Sequence, residues 1–469
     1  MKKNRIAVGG VQKVRKTCSE SPNPNKLNRY FAALLICSFV LFCACATAKA
    51  ASNAGFQYEF SKNTSQGFNY PNTSFAVFSD NHLIHPSLGI TLPSFVQHIN
   101  TGMELSLDSV ELIDYAIKSI IESGVRFVLI CGDVTNNGEL IAHQLMAEKL
   151  KAFTNAGIAV YVVPGNHDIN NPHAAGIVDG KIMPAPSISA EEFERIYGDY
   201  GFNAAIMRDT GSLSYVAEPA EGLWLLALDA NRYRENTPEN GGFSGGKISQ
   251  KTAEWIATVL QAAHANNKAV MAMIHHGVVE HWKGQSSFHG SYLIDDYKNF
   301  GRFLASWNVK LAFSGHYHSQ DIARADFGAK YIYDMETGSL LTPDCPVRFV
   351  EIKDNTVYIR SETIIDKLRP GTDFADNARV FMKKTVMAEV TRILARYKIT
   401  GRDAEYLAEA AADAFCAHNA GDENPALRPP FNSSRLGFVS RIAYVKLKPI
   451  IDGLWKDIPP ADNNVQLKL

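Results

Sequence analysis

Val160-Tyr161-Val162-Val163-Pro164-Gly165-Asn166-His167-Asp168 joins an apolar, β-branched run to a polar cluster. The run has the length and composition of a buried strand. Gly165 lets the backbone turn sharply off it, so the residues beyond lie close together. Four more runs of this kind end in the same way. Ser74–Phe78 leads to Asp80-Asn81-His82, and Phe127–Ile130 to Gly132-Asp133. Val270–Ile274 leads to His275-His276, and Lys310–Phe313 to Gly315-His316-Tyr317-His318. In α/β sheets, ligands bind in the crevice beyond the carboxyl ends of the strands. Each piece alone has an ordinary reading: a capping pair, a turn, a core histidine pair, or Asn and Asp turn chemistry. Recurring in order at strand ends, they supply oxygen and imidazole ligands for two divalent metal ions.

The composite D-x-H, G-D, G-N-H-D, H, G-H-x-H resembles the signature of the calcineurin-like metallophosphoesterases, and the likeness runs from roughly Phe75 to Arg360. The resemblance implies an α/β fold, a two-sheet β-sandwich flanked by helices. It also implies a division of ligands. The first ion would take Asp80, His82, Asp133 and His318; the second would take Asp133, Asn166, His275 and His316, with Asp133 bridging. His275 is the first residue off its strand and is favoured over His276, which then faces the cleft or stands behind the ligands. This donor set suits Mn, Fe, Zn or a mixed pair. By the same resemblance, a metal-activated hydroxide attacks phosphorus and no covalent nucleophile is needed. His167 would act on the leaving group as a catalytic acid. Asp168 would fix the His167 tautomer, cap a helix, or do both. Asn136 and Asn137 sit beside the site, as phosphate or base contacts or as a plain turn.

The amino terminus reads as targeting rather than fold. Basic residues from Lys2 to Arg29 precede an apolar stretch from Tyr30 to about Cys45, and Ala48-Lys49-Ala50 follows as a cleavage signal. The expected location is therefore exported: periplasmic, extracellular or envelope-attached. A retained anchor is the alternative, and it would give peripheral membrane association; the apolar core is shorter than the roughly 20 residues of a span. A lipoprotein cut before Cys45 or Cys43 is a third reading, and Phe42-Cys43-Ala44 is a poor match to it. Cys18, Cys37, Cys43 and Cys45 fall in this segment. Cys131, Cys345 and Cys416 remain, an odd number that argues against a disulfide framework, with one Cys345–Cys416 bridge left open.

With 47 Lys and Arg against 48 Asp and Glu, the chain shows no basic footprint for nucleic acid beyond its amino terminus. The expected division is a targeting segment at 1–50, a linker at 51–72, the metallophosphoesterase domain at 73–364 and a helical domain at 365–469. Helical spacing marks Glu104–Ser123, Leu140–Phe153 and Ser249–His264, the last with Ser249 as N-cap. Strands fit Leu213–Val216, Leu223–Leu228, Tyr331–Tyr333, Arg348–Ile352 and Thr356–Arg360. Phe374–Tyr397, Arg402–His418 and Leu436–Trp455 make an all-helical appendage. That tail is similar to the helical carboxyl-terminal domain of bacterial exported cyclic-nucleotide phosphodiesterases. Three segments stand as loops over the cleft or as solvated loops: Pro172–Pro186, Trp282–Tyr292 with His281, and Asn231-Arg232-Tyr233-Arg234. The expected partner is a small phosphate ester. The favoured substrate is a phosphodiester, a cyclic or other nucleotide. A phosphomonoesterase or nucleotidase is the alternative, and a non-catalytic binding module is the rival that intact ligands disfavour.

Overall fold

The computed structural model describes residues 57–61, 68–99 and 102–469. The expected targeting segment, with its four cysteines, and part of the expected linker lie outside the described residues.

The strands in chain order begin with β1 (Thr73–Phe78), β2 (Phe127–Ile130), β3 (Ala159–Val162), β4 (Ala175–Val178) and β5 (Lys181–Pro184). β6 (Met207–Arg208), β7 (Tyr215–Ala220), β8 (Leu223–Leu228), β9 (Ala269–Ile274) and β10 (Leu311–Ser314) follow. The last are β11 (Asp321–Phe327), β12 (Lys330–Glu336), β13 (Pro346–Lys353), β14 (Thr356–Thr363) and β15 (Asn464–Lys468). One sheet has the order β15-β14-β13-β1-β2-β3, and the other β11-β12-β10-β9-β8-β7-β6. Within them, β1, β2 and β3 run parallel, as do β8, β9, β10 and β12. The antiparallel strands stand outside these parallel blocks.

This arrangement follows from strands that are apolar on both faces, the pattern of a sheet covered on both sides. Along β9, Met271 and Met273 face the core between the sheets, while Val270, Ala272 and Ile274 face the helix layer. Phe75 of β1 stacks on Phe127 of β2 at 4.7 Å and meets Phe313 of β10 edge-on at 5.2 Å, so one aromatic cluster ties the sheets together. Helices α1 (Ser109–Ser123) and α2 (Leu140–Asn155) pack on the first sheet. Helices α3 (Gln250–Ala265) and α4 (Tyr297–Ser306) cover the second. Ser249 caps α3 by accepting from the Thr252 N–H. The α/β two-sheet sandwich flanked by helices is therefore present.

Several boundaries differ from the sequence reading. The helix expected from Glu104 starts at Ser109, after a single tight turn at Ser106–Asp108, and Leu107 faces solvent. The strand expected at Leu213 starts at Tyr215, because Asp209, Ser212 and Ser214 bind one another in a polar turn. Pro172–Pro186 is no featureless loop: it carries the β4–β5 hairpin, whose turn residues Asp179 and Gly180 have φ of 50° and 73°. Asp-Gly between alternating residues is a strong hairpin signal.

The carboxyl-terminal region is helical through α5 (Phe374–Arg396), α6 (Arg402–Ala420) and α7 (Phe438–Leu454). Met382, Val386, Val390 and Leu394 of α5 share a core with Leu407, Ala408, Ala411 and Ala412 of α6, whose small side chains allow close approach. Val380, on the same helix as Met382, is exposed. The chain then returns to the sandwich, since β15 pairs antiparallel with β14. The appendage is thus helical but not all-helical, and the strand ties it to the first sheet. Cys345 and Cys416 are free thiols.

Candidate metal centre

The candidate ligands emerge from the carboxyl ends of β1, β2 and β3 on one sheet and of β9 and β10 on the other. The ladder between β1 and β2 continues past both strands, with Asp80 N–H donating to the Gly132 carbonyl at 3.1 Å and His82 N–H to that of Asp133 at 2.9 Å. The chain must then bend sharply. Asp80, His82, Asp133, His316 and His318 all have positive φ, between 36° and 75°. Left-handed backbone at non-glycine residues costs about 1 kcal/mol or more each and gathers where function requires it. Gly132, at φ 96°, has no room for a side chain: a Cβ there would lie 2.6 Å from His275 Nδ1. At Gly165 a Cβ would collide with the Asp133 carboxylate.

The ligand atoms converge in overlapping groups: Asp80, His82 and His318; His82, Asp133 and His167; Asp133, His275 and His316. Within each group they lie within 4.8 Å of one another. His318 Nε2 is 3.2 Å from Asp80 Oδ1, and His82 Nε2 is 3.8 Å from Asp133 Oδ2. On the other side, His275 Nε2 lies 3.3 Å from Asp133 Oδ2 and 3.1 Å from Asn166 Oδ1. All seven residues expected as ligands are thus brought together, and Asp133 belongs to both sides. These buried nitrogen and oxygen donors fit a pair of divalent ions.

The electrostatics point the same way. Burial alone would lower the His275 imidazole, but the Asp133 carboxylate outweighs it and holds the ring at about 9. His318 is likewise raised against burial, by Asp80. Burial would raise the Asp133 carboxyl, but His275 and His167 hold it well below its ordinary value. Protons on these imidazoles stand where cations would offset the same carboxylates. Burial pushes His82 down to about 4 and His316 well below its usual value, so both rings are neutral and able to ligate.

Backbone carbonyls orient the rings. The Cys131 carbonyl accepts from His275 Nδ1 at 2.7 Å, which turns Nε2 toward Asp133. His276 is buried, with Nε2 donating to the Ser244 carbonyl at 2.9 Å and its ring against His316 at 4.4 Å. It stands behind the ligands rather than in the cleft. His275→Ala should therefore weaken the second metal position by more than the roughly 10–100-fold typical of outer-shell changes, while His276→Ala should lose no more than that. Metal titration of the two purified variants checks the order.

His167 Nδ1 donates to the Asn136 carbonyl at 2.7 Å, so Nε2 is the nitrogen it has to offer elsewhere. Asp168 does not orient this ring. Its carboxylate accepts from the N–H groups of Val134, Thr135 and Gly165 and from the Thr135 hydroxyl. Three converging backbone donors claim those oxygens and pin the two loops that carry candidate ligands together, so the tautomer role passes to the Asn136 carbonyl. Asp168 also caps no helix, since none begins beside it and the next starts at Ala190.

The loops differ in what they reach. The Tyr292 ring is half-buried, 4.7 Å from that of His316. His281 and His289 of the same stretch are buried and bound elsewhere, to Asp321 and to the Tyr317 hydroxyl. Arg232 pairs with Glu235, and Arg234 donates to the Gly211 carbonyl. Asp229 accepts from Leu213 N–H, Asn231 N–H and the Tyr233 hydroxyl, a structural role.

Two contacts were not anticipated. Glu104 Oε1 lies 3.6 Å from His318 Nδ1. Asn419, at the end of α6, donates from Nδ2 to the His318 carbonyl at 2.7 Å, and its own carbonyl accepts from Gln320 N–H at 3.1 Å. The carboxyl-terminal region thus clamps the strained His318 loop. Asn419→Ala should weaken the first metal position by about 10–100-fold and spare the second. Metal occupancy after dialysis at graded concentrations reads the difference.

The family model for calcineurin-like phosphoesterase matches residues 73–320. No curated protein matches the sequence. Similar solved structures include a dimetal phosphatase from Danio rerio, 13% identical, covering 63% of this chain and 97% of that one, with a TM-score of 0.46. A purple acid phosphatase from yellow lupin (Lupinus luteus) seeds is 11% identical, covering 63% and 52%, with a TM-score of 0.39. With candidate ligands at the strand ends in the family's order and the family model matching more than half of this chain, the chain belongs to the calcineurin-like phosphoesterases.

Proposed function

We propose that the protein is an exported, two-metal phosphoesterase that hydrolyses phosphodiesters, with cyclic or other nucleotides as its favoured substrates. When bound, the ions lower the pKa of a water and offset charge on the phosphoryl oxygens. Asp80, His82, Asp133 and His318 would hold one, and Asp133, Asn166, His275 and His316 the other, as manganese, iron, zinc or a mixed pair. His167, held through Nδ1 by the Asn136 carbonyl, presents Nε2 to the leaving oxygen and gives it a proton or hydrogen bond. The sandwich at 73–364 carries this machinery, and the helical region from 365 supports it through Asn419.

Glu104 carries the preference for a diester. Its carboxylate beside His318 adds negative charge at the first metal position. A monoanionic diester meets less repulsion there than a dianionic monoester. Arg232 and Arg234, the cations of the Asn231–Arg234 segment that could have reversed this, are engaged by Glu235 and the Gly211 carbonyl. The test compares turnover of bis-p-nitrophenyl phosphate and p-nitrophenyl phosphate after metal loading. Higher kcat/KM on the diester is expected. Preference for the monoester would move the reading to a phosphomonoesterase, and metal binding without turnover of either to a binding module.

A further inference from the structure

Helix α7 has two apolar faces, and only one of them is covered. Leu447, Ile450, Ile451 and Leu454 are buried in the core shared with α5 and α6. On the opposite side, Phe438, Val439, Ile442 and Val445 are 77%, 60%, 50% and 69% exposed. At 3.6 residues per turn, Phe438, Ile442, Val445 and Pro449 follow one line along the helix. Leu427, in the preceding segment, is 74% exposed. A surface helix ordinarily turns polar residues to water and keeps one apolar stripe for the core. Helix preference does not account for the outer stripe either, because aromatic and β-branched residues are indifferent helix formers.

The charges around the stripe indicate what covers it. Between Leu427 and Lys456 the chain carries Arg428, Arg435, Arg441, Lys446, Lys448 and Lys456, and Asp452 is the only acidic residue there. The chain as a whole has a net charge of −1, so this is a local concentration, and it departs from the expectation that basic residues gather only at the amino terminus. Lys446 lies on one flank of the stripe and Arg441 and Lys448 on the other, all three exposed. Asp452 pairs with Arg428 and Lys448, which leaves the segment strongly cationic. An apolar line between two cationic flanks is the pattern of a helix lying in a membrane interface, side chains among the acyl chains and cations at anionic headgroups. A second copy suits the face poorly, since two-fold pairing would bring like charges together. Among the described residues no helix is long and apolar enough to cross a membrane, so the contact is one of lying on a bilayer.

We propose that the outer face of α7 is a peripheral membrane-binding surface that seats on an anionic lipid bilayer. None of its residues is a candidate metal ligand.

The test is co-sedimentation of the full chain with vesicles of phosphatidylcholine, with and without phosphatidylglycerol. Wild type is compared with Phe438→Ser/Ile442→Ser/Val445→Ser and with Arg441→Glu/Lys446→Glu. These side chains are exposed and none is a candidate metal ligand, so thermal midpoint and phosphoesterase activity serve as controls. Wild type should bind the phosphatidylglycerol vesicles preferentially, and each variant should lose about tenfold or more in partitioning. The charge-reversed variant keeps the test open if the serine variant folds poorly. Undiminished binding in both variants overturns the proposal, as does binding indifferent to lipid charge. Self-association abolished in the serine variant, with no vesicle binding by wild type, would assign the face to a second copy instead.

Discussion

Asp133→Asn should empty both metal positions together and lower turnover of a diester substrate by about a thousandfold or more. Asp133 is the only candidate ligand shared by the two sides: Oδ2 lies 3.8 Å from His82 Nε2 and 3.3 Å from His275 Nε2. The amide keeps the shape but removes the charge that holds His275 at about 9 and that would hold two cations. One oxygen also becomes an NH2 donor, which ligates no metal. The variant should still fold, because β2 and its ladder do not depend on this charge. Metal analysis by mass spectrometry, beside circular dichroism and kinetics, separates lost metal from lost fold. A variant that keeps one ion tightly and loses the other would assign Asp133 to a single position.

His167→Ala should keep both ions yet turn over slowly, by about 10²–10⁴-fold on substrates with poor leaving groups. His167 also brings a ring nitrogen within 4.8 Å of His82 and Asp133, so geometry alone permits a ligand role. The two roles differ in what they predict. An acid matters more as the leaving group becomes more basic, so nitrophenyl esters should lose less than alkyl or nucleoside esters. A ligand would lose metal and slow every substrate alike. A leaving-group series run with metal content measured in parallel decides between them.

The ligand-bearing strands were legible because the signal is local. An apolar run followed at once by Asp, Asn or His needs no knowledge of distant chain, and the strand-end rule then brings the five ends together. What the sequence hid depends on closure of the fold. Asn419 meets His318 across 101 residues, and neither residue's neighbourhood announces the other. Glu104 reads in the sequence as the first residue of a helix. In the structure it lies in an irregular segment ahead of Ser109, so helical spacing gave no sign of its approach to His318. Asp168 was misread because adjacency to His167 suggested a partnership. In the structure the carboxylate turns to the N–H groups of Val134 and Thr135, more than thirty residues earlier. Other features were readable but overlooked. Asp179-Gly180 marks the hairpin, and Asn464-Val465-Gln466-Leu467-Lys468 alternates polar and apolar as an edge strand does. The long helical pattern before β15 overshadowed it.

Asp80, His82, Asp133, Asn166, His275, His316 and His318 are proposed to form one centre that binds two ions and needs both. Its most direct test is stepwise reconstitution of the chelated protein with manganese, iron or zinc, following bound metal per chain and turnover of bis-p-nitrophenyl phosphate together. Activity should be absent without metal and should reach its full value only as occupancy approaches two ions per chain. Full activity at one ion per chain, or activity that survives complete chelation, would contradict it.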